Sequence, residues 1–195
     1  MHKYLAGRWC VDMPVTYCSR PPHRAPSIEE LEGSEIYHIT VREDDKGRPV
    51  EIVICAANSA THGEPYRYAL DIYADYKWEE SHGEEYTVDV LNADVDWAEC
   101  DDCPLGGEFT DEKWLRTLGR LRGATIRRID YSGAFESTDI TIYASFSYRT
   151  RPFGLYHWGC HELHASVESE GDERYLELEL REVELNNCYT FIQLR

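Results

Sequence analysis

Not one lysine or arginine stands between Glu79 and Asp102, a stretch of 24 residues that holds ten carboxylates: Glu79, Glu80, Glu84, Glu85, Asp89, Asp94, Asp96, Glu99, Asp101 and Asp102. Like charges without partners repel one another, so such a run needs water to screen it or a cation from elsewhere to meet it. Long apolar runs are missing too. None approaches the roughly 18 residues that span a bilayer, and the opening MHKYLAGRWCVD has no apolar core of a secretory signal. Both absences predict a soluble, cytoplasmic protein without a membrane partner. There is no phosphate-cradling glycine loop, no Gly-x-Ser-x-Gly and no His-Glu-x-x-His, so nucleotide-binding, serine-hydrolase and metalloprotease chemistries leave no signature. His161-Glu-Leu-His164 falls one residue short of the last of these. Neither an internal repeat nor a low-complexity tail is found.

What is present begins with enough length, 195 residues, to bury one sizeable core. The expectation is one domain over residues 1–195, with 1–25 as an N-terminal arm or first strand plus a Pro-rich loop. The net charge of −17 is sorted along the chain: +3 over residues 1–25, −18 over 26–115, +3 over 116–165 and −5 over 166–195. The basic segments owe most of their sign to arginine, which can pair with acidic loops inside the fold, so the acidic excess is what faces outward. Such a surface disfavours nucleic acid or anionic lipid, whose binding depends on Lys and Arg displacing counterions. A basic protein partner fits it, unless the charge serves solubility alone. Seven cysteines (Cys10, Cys18, Cys55, Cys100, Cys103, Cys160, Cys188) form an odd, scattered set, which predicts reduced thiols or a metal site rather than a disulfide scaffold.

Residues 26–32 predict a short capped helical turn ended by Gly33. Residues 35–43 and 49–57 are rich in β-branched side chains and flank Asp44-Asp45-Lys46-Gly47-Arg48, a hairpin turn. Residues 66–76 and 85–95 read as two more strands joined through Ser81, His82 and Gly83. The best helix is 110–121, with Thr110 as N-cap, acids at its positive end, and Trp114, Leu115, Leu118 and Leu121 at helical spacing. Strands follow at 124–132, 138–148, 156–167, 174–185 and 189–194. The fold class is therefore α+β, mostly antiparallel β, with about nine strands in a sandwich or barrel-like arrangement and one clear helix.

Within the acidic run, an extended strand puts Asp94 and Asp96 about 6.7 Å apart on one face with Val95 and Trp97 on the other. Paired carboxylates then stand above an apolar anchor. The partner-binding candidates are Asp89, Asp94, Asp96, Trp97, Glu99, Asp101 and Asp102, as on an inhibitor or immunity protein that neutralises a basic macromolecule, with a nucleic-acid mimic as one form of it. Asn92, Asp94 and Asp96 match the first oxygens of a helix-loop-helix calcium site, but Trp97 replaces its glycine and Cys103 its closing glutamate. A second constellation is Cys100-Asp-Asp-Cys103 with His157, Cys160 and His164. Two thiolates spaced this way share one tetrahedral ion, and His157 with Cys160, or Cys160 with His164, completes the set for a structural zinc. Flanking carboxylates raise a thiol pKa and argue against a redox role.

A third pattern pairs His38-Ile-Thr40 with His164-Ala-Ser166, each on a predicted strand. It resembles the twin His-x-Thr/Ser signature of the two-histidine phosphoesterases. That resemblance implies His38 and His164 as base and acid, with Thr40 and Ser166 holding the phosphate of a nucleotide. Gly7-x-Trp9 is similar to the start of lipocalin-like barrels, which implies a closed barrel. An acidic binding protein without cofactor is the leading expectation, with the phosphoesterase and the zinc-stabilised module as alternatives.

Overall fold

The computed structural model describes residues 24–58, 66–98, 112–131, 137–149 and 156–183. A 3-10 turn, Ile28–Leu31, opens the described chain; the Glu30 carboxylate caps it by accepting the Ser27 N–H at 3.0 Å, and Arg24 pairs with the same carboxylate. Strands β1 (Ser34–Glu43) and β2 (Pro49–Asn58) follow, joined by a turn in which Asp44 accepts from the Lys46 and Arg48 N–H groups and Gly47 takes a φ of 74°. Strands β3 (Arg67–Ser81) and β4 (Glu84–Trp97) meet across His82-Gly83, both at positive φ, the two-residue turn whose twist matches that of the strands. Helix α1 (Glu112–Leu118) tightens into a 3-10 turn at Gly119–Leu121. Strands β5 (Thr125–Tyr131), β6 (Asp139–Arg149), β7 (Tyr156–Glu170) and β8 (Glu173–Val183) complete the order.

All eight strands form one antiparallel sheet in the order β4-β3-β2-β1-β5-β6-β7-β8. Each strand pairs with its neighbour in sequence except at one seam, where β1 meets β5 at Glu35 and Thr125. Among the described residues the strands thus make two four-stranded meanders, with α1 between them in sequence. The sheet folds at the seam so that β2 packs over β8, and β4 over β7 and β6. Period-two alternation, shifted by one residue at an irregularity between Ile36 and His38, sends Ile36, Ile39, Ile52, Ile54, Leu70 and Ile72 from the first meander into one core with Ile126, Ile140, Ile142 and Leu163 from the second, joined by Leu31, Leu118 and Leu121. Burying that aliphatic surface supplies most of the drive to fold, at about 25 cal/mol per Å².

The β7–β8 turn ties the two meanders together. Arg48, on the β1–β2 turn, pairs with Asp44, Glu170 and Glu173 and stacks over Tyr175 at 4.5 Å, with its side chain only 18% exposed. On the other side, Arg174 pairs with Asp89 of β4 at 2.6 Å and lies 4.5 Å above the Tyr76 ring.

Described residues hold eight strands where the sequence predicts about nine; the ninth, 189–194, lies outside them, as do Gly7 and Trp9. The expectation of reduced thiols is corrected at Cys55 and Cys160, which are disulfide-bonded; the other five cysteines lie outside the described residues. No helix among the described residues is long and apolar enough to cross a membrane.

Candidate functional site

Register places the acidic residues on the outward side of the first meander. Two cross-strand rows run His38–Cys55–Ala69–Asp96 and Thr40–Val53–Asp71–Asp94, and a third runs Arg42–Glu51–Tyr73–Asn92. Asp94 and Asp96 are exposed, and β4, which carries them, is the sheet edge. Between the rows sits a crowded group. Burial, then the neighbouring carboxylate of Glu51, then Asp94, push the Asp71 carboxyl up to about 6, with Arg42 opposing. Its Oδ1 is buried without a hydrogen-bond donor. The Tyr73 hydroxyl donates to Asp94 at 2.9 Å, and burial together with that bond drives its pKa to about 12. Arg42 is already engaged by Glu51. A groove of about 520 Å³ opens beside Asp94, lined by Ile28, Glu29, Val95 and Tyr131 among others.

Beyond Tyr73, β3 outruns β2, and the β3–β4 hairpin continues as a two-stranded ribbon. Its end carries the three exposed large aromatics of the described residues, Tyr76, Trp78 and Tyr86, the second of them 65% exposed. Around them stand Glu79, Glu80, Glu84 and Glu85, with Lys77 as the nearby cation and paired to Glu79 at 2.7 Å.

Of the residues singled out from the sequence, Asp94 and Asp96 share the outward face. Asp89 is on the opposite face and is taken by Arg174. Trp97 is half-buried against Tyr66 and Tyr68, and its indole N–H donates to the Arg24 carbonyl at 2.8 Å, so it anchors the strand end. Glu99, Asp101, Asp102, Cys100 and Cys103 lie outside the described residues. The proposed zinc set loses Cys160, whose disulfide leaves no thiolate for a metal. His157 takes a place in β7 opposite Tyr148.

The two histidine strings do not converge. His38 and Thr40 face outward on β1, and His164 and Ser166 face outward on β7, with β5 and β6 between. Three strand spacings separate them by about 14 Å along the sheet, too far to share one phosphoryl group. His164 is occupied locally by the Thr141 hydroxyl at 3.1 Å. No protein-family model, curated protein or solved structure matches this chain. The sequence reading missed Asp71, Glu51 and Tyr73, which only register brings beside Asp94. It also missed the exposed Trp78, for which the signal was an aromatic standing immediately before the acidic run.

Proposed function

We propose that the chain is an acidic binding protein whose outward face on β3 and β4 neutralises a basic protein partner, in the manner of an inhibitor. The observation that carries this reading is the crowding at Asp71. Burial first, then Glu51 and Asp94, raise its carboxyl, and cross-strand register sets Asp71 opposite Asp94 with the exposed Asp96 on the same outward face. A partner's lysines or arginines supply the missing charge and steer association. Disulfide bonds persist in oxidising compartments, so the two disulfide-bonded cysteines favour an encounter there over the cytoplasmic one the sequence suggests.

The test is charge reversal at the exposed pair. Asp94→Lys with Asp96→Lys is expected to weaken a captured basic partner by about tenfold or more and to flatten the salt dependence of its association rate. Unchanged affinity and unchanged salt dependence would remove this face as the interface.

A further inference from the structure

One face of the β3–β4 ribbon sets an aromatic ring beside carboxylates at two successive positions, directly across the ladder at the inner one and one cross-strand pair further out at the outer one, and the chain itself fills only the inner. Cross-strand pairs Tyr76–Asp89, Trp78–Thr87 and Glu80–Glu85 share this face. At the inner position the Arg174 guanidinium lies 4.5 Å over the Tyr76 ring and donates to Asp89 at 2.6 Å. Two residues further out, the Trp78 indole is 65% exposed and meets Tyr76 edge-on at 6.0 Å. Beyond it Glu80 and Glu85 stand directly opposite one another, both exposed, with no cationic partner among the described residues.

Two carboxylates facing each other across a ladder repel, and an indole in water leaves a large apolar surface uncovered. One side chain answers both. A guanidinium stacks flat on an indole and presents a fork of donors to carboxylates on either side, whereas an ammonium is a compact, strongly hydrated point charge. We propose that the ribbon end is a docking site for an arginine side chain of a protein partner, with Trp78 as the stacking platform and Glu80 and Glu85 as acceptors. The inner position, where Arg174 stacks on Tyr76 and donates to Asp89, is the precedent for one guanidinium meeting a ring and a carboxylate together. This inference rests on the reading of a basic partner but uses the opposite face from Asp94 and Asp96, so the two can fail separately.

Anisotropy of a fluorescein-labelled octa-arginine peptide, titrated with the full chain, tests it. Octa-lysine and an uncharged Gly-Ser peptide serve as comparisons. The expected results are tighter binding of octa-arginine than octa-lysine by about threefold, and a loss of about three- to fivefold on Trp78→Ala, a change that leaves net charge untouched. Glu80→Gln with Glu85→Gln should abolish the preference for arginine, while Asp94→Asn with Asp96→Asn should leave that preference intact. Trp78 is exposed, so an unaltered thermal unfolding curve is expected for its alanine variant. In the unmodified chain, octa-arginine should also shift the Trp78 indole N–H resonance. Equal affinity of wild type and Trp78→Ala for octa-arginine, or an unmoved indole resonance at saturation, overturns the proposal. If Asp94→Lys with Asp96→Lys weakens a protein partner while Trp78→Ala does nothing, the acidic face stands and the arginine site falls.

Discussion

Asp71 and His161 titrate with opposite consequences for stability. Asp71 holds its proton to about 6 in the fold against an ordinary 3.8. The folded chain therefore binds more protons across that interval, and stability falls as pH rises from about 4 to 6. His161 is buried on the inward face of β7, stacked on Phe146 at 4.9 Å, and burial lowers its pKa below the ordinary 6.5. The unfolded chain takes up that proton first, so stability is lost as pH falls below about 6.5. Asp71→Asn is expected to remove the first slope and to stabilise the protein near neutral pH by about 1–2 kcal/mol, after discounting for partial solvent screening. Urea midpoints of the variant and wild type, compared near pH 7 and near pH 4, should differ at the first and coincide at the second. A variant with an unaltered midpoint near neutrality would show that the carboxylates on this face are not crowded.

At the level of elements, the strands were legible because buried and exposed residues alternate, and β1, β2 and β4 begin or end within two residues of the expected limits. Strand β3 runs on to Ser81, past the expected end at residue 76, because the His82-Gly83 turn pairs Glu79 with Tyr86 and Glu80 with Glu85 regardless of charge. The helix was expected to reach residue 121, but its last turn is 3-10. Of the candidate site, the facing of Asp94 and Asp96 followed from a period of two. The Glu51–Asp71–Asp94 group did not, because its members meet through cross-strand register and nothing in their immediate neighbours announces it. Charges along the β4 edge also keep foreign strands from adding to it. Strand β7 offers a sharp packing test at Gly159, where a Cβ would lie 2.2 Å from the Phe146 ring. Gly159→Ala must displace that ring from its place beside His161, and about 1–3 kcal/mol of destabilisation is expected in chemical unfolding. No loss would mean that the ring moves aside freely.

Across the whole molecule, the β7–β8 turn joins the meanders through two arginines, one received from the first meander and one sent to it. Arg48 meets Glu170 and Glu173, and Arg174 meets Asp89 and Tyr76. Arg48→Ala removes three carboxylate contacts and the stack on Tyr175 at once, and a thermal midpoint lower by roughly 5 °C is expected. Arg48→Lys should recover only part of that, since an ammonium cannot reproduce the fork. The seam has a consequence in time. Every other ladder closes between strands adjacent in sequence, at small cost in loop entropy, whereas Glu35 and Thr125 must find each other across about 90 residues. Two ribbons zip first and the seam waits for both, so changes at the hairpin tips, whose contacts precede the barrier, and trimming of Ile36 or Ile126, which meet at it, should both slow folding more than they hasten unfolding.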